Sequence, residues 1–261
     1  VELILSGLAS GFDWKSLVDQ LADVQRAPQR RLRSQQVSLG GVSSALSSLS
    51  TELTNLKSKA DALKTAKDST SLKTAINEFV EQYNKTQRVI EIQTASSTDS
   101  KGAVTPGILA DQSGVSEIAR SMRSKMVADV AGVSDTLQRL ESLGYSSEGF
   151  DNEIVLNNPS ALDAALQADF SGVQNLFAGS GGIGTRLSNY LETVVGDEGS
   201  LSRQRDGVLN EATDIDDQIR SMEESVQSSR AQSISKFQAM EKALAQVNRQ
   251  SQFFAQRFGR L

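Results

Sequence analysis

The chain has 261 residues, 38% hydrophobic and only 5% aromatic, enough for one or two domains around a thin, aliphatic core. It contains no cysteine and no histidine, which excludes disulfides, thiolate zinc centres and any Cys- or His-based nucleophile or base. With 27 basic and 32 acidic residues the formal charge is -5, so no global basic field attracts nucleic acid or an anionic membrane.

No apolar run approaches the roughly 18 to 20 residues of a membrane span, and the N-terminus lacks the charged start and apolar stretch of a signal peptide. The first residue is Val1 rather than methionine, so the true start is expected upstream. Only Pro28, Pro106 and Pro159 interrupt the chain, and helix is expected to dominate. After a glycine- and serine-containing opening, Asp13 caps a predicted helix with Leu17, Val18, Leu21 and Val24 on one side. From Leu39 the pattern is strict: Leu39, Val42, Leu46, Leu49, Leu53, Leu56, Ala60 and Leu63 alternate steps of three and four, a heptad seam.

In the middle, Leu72, Ile76, Phe79, Val80 and Tyr83 are helix-spaced, and Thr94 to Gly102 reads as a solvated loop. A further helix is predicted at about 115–130. Residues 144–150 and 153–156 form a small β-hairpin, Pro159 and Ser160 open a helix with Leu162, Ala165 and Leu166, and Phe170, Val173, Leu176 and Phe177 fit another. Gly196 to Ser200 is the hinge into a last long helix, whose stripe includes Leu201, Val208, Ile215, Ile219, Met222, Val226, Phe237, Met240, Val247, Phe254 and Phe258. Ser229, Ser233 and Phe237 are spaced four and four, a stutter that locally unwinds a left-handed supercoil. Neither long helix can bury its stripe alone, so Leu39–Leu63 is expected to pack antiparallel on part of Leu201–Met240, in a rod with both termini at one tip. The fold class is mainly α: long terminal helices paired as a coiled coil, with a helical bundle and a small β-hairpin between.

Signals for chemistry are weak. Gly179-Ser180-Gly181-Gly182-Ile183-Gly184 lacks the Gly-Lys-Ser/Thr ending of a P-loop and reads as a helix linker. Asp214, Asp216 and Asp217 cannot all face one ion at helical spacing and read as a solvated face. Arg26, Arg30, Arg31 and Arg33 make a basic patch around Pro28, read as a helix flank or as ion-pair partners of the opposing helix, with an acidic partner as the alternative. The single tryptophan, Trp14, needs cover from its own chain or from a neighbouring subunit. Phe253, Phe254 and Phe258 need the same from the N-terminal helix or another protein. No nucleophile, base and oxyanion set can be assembled, so no enzyme and no cofactor or metal is expected.

These residues resemble the flagellar filament cap family, hook-associated proteins at the tip of the growing flagellum. The resemblance rests first on Gly7-Leu8-Ala9-Ser10-Gly11-Phe12-Asp13, then on Leu17-Val18-Asp19-Gln20-Leu21 and Arg26-Ala27-Pro28. It continues through Phe79-Val80-Glu81-Gln82-Tyr83-Asn84, Gly107-Ile108-Leu109-Ala110-Asp111, Leu162-Asp163-Ala164-Ala165-Leu166 and Val173-Gln174-Asn175-Leu176-Phe177 to Ile215-Asp216, Ala239-Met240-Glu241 and Ser251. Family members carry outer, mostly β domains after the first long helix; here Leu63 runs within a few residues into Ser71, so an insertion is absent or omitted near 64–71.

The resemblance implies a secreted protein, exported through the flagellar apparatus to the extracellular filament tip. There it forms a homo-oligomeric ring, pentameric in several relatives, and promotes folding and insertion of exported flagellin. Implied partners are flagellin, hook-filament junction proteins and an export chaperone, with no nucleic acid and no membrane; cell adhesion is a further family role. The expected organisation is a terminal leg, 1–33 with 237–261, ordered only in assembly, and a coiled-coil and bundle domain over 34–236. Subunit or filament contacts fall to Leu8, Trp14, Leu17, Leu21, Phe253, Phe254 and Phe258. The coiled-coil seam falls to Leu39, Val42, Leu46, Leu49, Leu53, Leu56, Ile215, Ile219, Met222 and Val226. The alternatives are another axial component, flagellin-like or of the hook-filament junction, and a secreted coiled-coil translocator.

Overall fold

A computed structural model describes residues 10–147 and 151–258, with the backbone alone at Phe258. In chain order the helices are α1 (Trp14–Gln25), α2 (Ala27–Ala62), α3 (Ser69–Thr94), α4 (Ser113–Val127), α5 (Pro159–Ala168), α6 (Phe170–Ala178), α7 (Ile183–Val195) and α8 (Ser200–Phe258). Strands β1 (Ser97–Thr98) and β2 (Val104–Thr105) form one antiparallel hairpin, β3 (Tyr145–Ser146) and β4 (Val155–Leu156) another. Mainly helical architecture with long terminal helices is thus the observed fold. The chain divides into two compact units, one of residues up to Ser38 with those from Glu211, the other Leu39–Asn210.

Local chemistry sets the helix starts. Asp13 accepts from the Ser16 amide at 3.2 Å to open α1, and Pro28, which has no amide hydrogen, sits where α1 gives way to α2. Asp68 and Ser71 cap α3 reciprocally: the Asp68 carboxylate accepts from the Ser71 amide at 2.7 Å and the Ser71 hydroxyl accepts from the Asp68 amide at 3.1 Å. Residues 64–71, the expected point of an outer-domain insertion, follow in this chain from a 3-10 turn over Leu63–Thr65 into that cap.

In the larger unit, the heptad seam of α2 forms one wall of the core. Leu46, Leu49, Leu53, Leu56, Ala60 and Leu63 are fully buried in one cluster with Leu72, Ile76 and Phe79 of α3, Val115 and Met122 of α4, and Ile183, Leu187 and Leu191 of α7. Phe79 and Phe177 meet edge to face with centroids 6.4 Å apart. Leu39 and Val42 lie half-buried at the edge of the cluster, which also takes in Leu201 and Val208. A Cβ on Gly184 would approach Leu63 Cδ1 to 2.7 Å, so the missing side chain lets α7 lie close on the end of α2. Arg186 of α7 donates to the carbonyls of Lys125, Ala128 and Asp129 at 3.1, 2.8 and 2.8 Å, satisfying the C-terminal end of α4. Asn84 acts as a substitute strand neighbour, donating to the Ile154 carbonyl and accepting from the Ile154 amide, both at 2.8 Å.

Three expectations change. The sequence pattern sets Leu39–Leu63 against part of Leu201–Met240; Leu201 and Val208 do share its buried cluster, but from Glu211 onward α8 faces residues before Ser38. The rest of the Leu39–Leu63 seam packs on the other helices of the bundle, as Lys59 to Glu78 at 2.7 Å and the Ser188 hydroxyl to Asp61 at 2.7 Å mark. The terminal unit accordingly runs to Ser38 and starts again at Glu211, beyond the limits of 1–33 and 237–261. The loop expected at 94–102 holds strand β1, and Asp99 closes its turn by accepting from the amides of Lys101 and Ala103 at 2.8 Å each.

Candidate assembly interface

The unit that joins the chain ends is a pair of helical arms, α1 with the first part of α2 against α8 from Glu211 onward. Along α1 the period of 3.6 residues turns Trp14, Val18 and Ala22 inward. They are buried, as are Gln29 on α2 and Ile215, Ile219 and Val226 on α8; Met222 is half-buried. The Trp14 indole stacks on Phe237, centroids 5.6 Å apart and planes 7° from parallel. This gives Trp14 an intrachain cover, while its indole N–H is buried without a partner among the described residues.

Polar rungs fix the register. Gln36 donates to Asp216 at 3.4 Å, Gln29 to Glu223 at 3.2 Å, Gln25 to Ser229 at 3.3 Å and Arg230 to Asp19 at 2.8 Å, and Ser10 donates to Glu241. Arg26 grips Glu223 with two hydrogen bonds, Nε at 3.0 Å and Nη2 at 2.8 Å, a bidentate fork. The hydrogen bond from Arg26, helped by Gln227 and Gln29, holds the Glu223 carboxyl down at about 2, and Glu223 in turn raises Arg26. Arg26 thus takes the opposing-helix role, whereas Arg30, Arg31 and Arg33 remain exposed.

The residues expected to contact other molecules fall into separate groups. Leu17 and Leu21 are 44% and 48% exposed, with Val24 on the same outward side of α1, away from the side that Val18 buries. The expected stripe of Leu17, Val18, Leu21 and Val24 is therefore split: Trp14 and Ala22, not the leucines, join Val18. Phe253 and Phe254 are 54% and 58% exposed and meet edge to face at 6.0 Å; with Gln246, Arg249 and Gln250 they line a shallow groove near the end of α8. Leu8 and the side chain of Phe258 lie outside the described residues. Among the described residues no cluster of three or more carboxylates could hold a metal ion, and no helix is long and apolar enough to cross a membrane. Arg220 bridges Asp216 and Asp217 at 3.0 and 2.9 Å, so those carboxylates serve the surface of α8. The rungs other than Arg26 escaped sequence reasoning, because Gln, Ser and Asp at these positions look like ordinary surface residues until the register of the two helices is known.

Residues 35–249 match the family model of the flagellar hook-associated protein 2 C-terminus. The chain belongs to that family. It is 27% identical over 158 residues to the B-type flagellar hook-associated protein 2 of Pseudomonas aeruginosa, a match covering 60% of this chain and 32% of that protein. With flagellar hook-associated protein 2 of Salmonella typhimurium it shares 24% identity over 216 residues, 79% of this chain and 45% of the relative. The match thus spans less than half the length of either relative. A crystal structure of the D1-D2-D3 domains of the flagellar cap protein FliD from Escherichia coli overlaps 54% of this chain and 37% of that one, with a TM-score of 0.45 and 26% identity.

Proposed function

We propose that this hook-associated protein 2 family chain caps the flagellar filament, assembling with copies of itself at the tip and promoting the folding and insertion of exported flagellin. One observation carries the reading beyond family membership: the terminal helical unit exposes large apolar side chains on both of its arms, Leu17 and Leu21 on α1 and Phe253 on α8. An apolar surface of this kind on a helical arm is a docking surface for protein. The arms are the part ordered by assembly, the ring is pentameric as in several relatives, and flagellin, the hook-filament junction proteins and an export chaperone are its partners. The site of action is the extracellular end of the filament, reached through the flagellar export apparatus. The exposed link at 67–68, within the stretch 64–71, is where the outer domains of longer members would be inserted, since a surface turn with close ends tolerates an insertion. We read the role as structural rather than catalytic.

Deleting the gene and imaging flagellar tips by electron microscopy tests this. The expected result is bare tips, short or absent filaments and monomeric flagellin in the medium, restored by the intact gene. Filaments of normal length with a normal cap in the deletion strain would overturn it.

A further inference from the structure

The arginines beside Pro28 and the carboxylates after Glu211 are only partly used within the chain. Residues 26–38 carry four arginines and no acid, while residues 211–224 carry six acids against the single Arg220. Arg26 is taken by Glu223, and Arg220 by Asp216 and Asp217. Arg30, Arg31 and Arg33 on one arm, and Asp214 and Glu224 on the other, are exposed and stand outside every ion pair among the described residues.

Helical spacing gathers these charges, Arg31 apart, into two stripes. Gln29 faces α8; Arg26, Arg30, Arg33 and Val37 recur at steps of four, three and four, one flank round from it, and Val37 is 77% exposed. Ile219 faces the other arm; Asp214, Asp217, Ser221 and Glu224 recur at three, four and three on the side of α8 turned away from it. The rungs from Gln36 to Asp216 and from Arg26 to Glu223 put both stripes at the same height along the arms.

We infer that the arginine stripe of one copy docks on the carboxylate stripe of the next copy, so that the two stripes are the two halves of a subunit contact. The inference rests on the reading of the chain as a cap that assembles with itself, and it names the surfaces and the chemistry of that assembly. A two-fold contact through either stripe would set like charges against each other. Joining the arginine stripe of each copy to the carboxylate stripe of the next, head to tail, is a heterologous contact, the kind that builds a ring when its rotation closes. Exposed ion pairs are individually weak and screened by salt, so their part is to set register and orientation, with Val37 adding apolar contact.

Charge reversal in the full-length protein provides the test. The variant R30E/R33E and the variant D214K/D217K/E224K are each expected to raise the concentration of half-assembly by about tenfold or more, read by sedimentation velocity, with helical content by circular dichroism unchanged. The five-fold variant that exchanges both stripes restores complementarity and is expected to assemble as the wild type does. Wild-type assembly is expected to weaken as salt rises from about 0.05 to 0.5 M. Reversal variants that assemble like wild type, or a five-fold variant that stays as defective as either parent, would overturn the stripe contact while leaving the cap reading intact. Loss of filament attachment with the free oligomer unaffected would also overturn it, by giving the arginines an acidic filament protein as partner. A wild-type protein that stays monomeric at every concentration would count against the self-assembly reading itself.

Discussion

Arg26 and Glu223, 197 residues apart in the chain, lock the two terminal helices together through a fork of two hydrogen bonds at 3.0 and 2.8 Å. Gln29 completes the rung from the next turn, donating to Glu223 at 3.2 Å. The pair sits where α1 gives way to α2, so the same short stretch that lacks a continuous helix carries the strongest polar tie to the opposite arm.

The first prediction concerns pH. Glu223 titrates at about 2 in the folded chain against an ordinary value of 4.5, so the folded state holds this proton less readily than the unfolded one. Its contribution is therefore complete above about 4.5 and is lost as pH falls toward 2. Asp61 behaves alike: burial pushes it up, but Lys64, Ser188 and Lys57 outweigh that and hold it at about 2 against 3.8. Thermal unfolding followed from pH 6 to 2 should show Tm falling through this window, and Glu223→Gln should make the fall shallower. An identical pH profile in wild type and variant would contradict the assignment.

The second prediction contrasts buried and exposed leucines. Leu49→Ala and Leu53→Ala empty fully buried sites in the bundle and should each cost about 2 to 5 kcal/mol in denaturant unfolding. Leu17→Ala and Leu21→Ala on the outward side of α1 should stay within about 0.5 kcal/mol in the dilute monomer. Equal losses at all four positions would mean that the outward leucines are covered within one chain.

Glycines give opposite signs in the third. A Cβ at Gly40 or at Gly207 meets nothing within 4 Å, and both lie inside helices, so Gly40→Ala and Gly207→Ala should each stabilise by about 0.5 to 1 kcal/mol. Gly184→Ala drives a methyl group into Leu63 and toward the carbonyls of Phe177 and Ala60, and should cost about 1 to 3 kcal/mol. Urea midpoints moving in the same direction for all three would remove the packing explanation.

The fourth prediction is functional. Replacing Phe253, Phe254 and Phe258 by serine removes aromatic groups whose burial at a contact is worth on the order of 2 kcal/mol each. The protein should still be exported, while flagellin escapes into the medium and filaments become short or absent. Normal filaments at wild-type export levels would sink the anchoring role of the α8 end.

Long, strongly periodic elements were legible in the sequence: the leucine seam of α2, the apolar face of α3 and the stripe of α8 all read as helices because each repeats over many turns. Helix α7 did not, although Ile183, Leu187, Leu191 and Val194 share one buried face, because the glycine run at 179–184 drew the reading toward a linker. The facing of α1 was illegible for another reason. Two apolar rows coexist there, Leu17-Leu21-Val24 and Trp14-Val18-Ala22, and only the tertiary partner selects which is buried. Partner choice for Leu39–Leu63 was legible only at Leu201 and Val208, since heptads specify that a seam is buried but not which seam buries it.

The rungs between the chain ends join residues 180 to 231 positions apart in sequence. No local segment can complete them, so the terminal unit cannot close until α8 has emerged as far as Glu241. Until then the first arm has no second arm to pair with and is available to whatever machinery handles the unfolded chain. A chain shortened before Glu211 should accordingly retain Trp14 in a wet environment. As the only tryptophan, it makes the completion of the unit visible in the emission of a single residue, through its contact with Phe237.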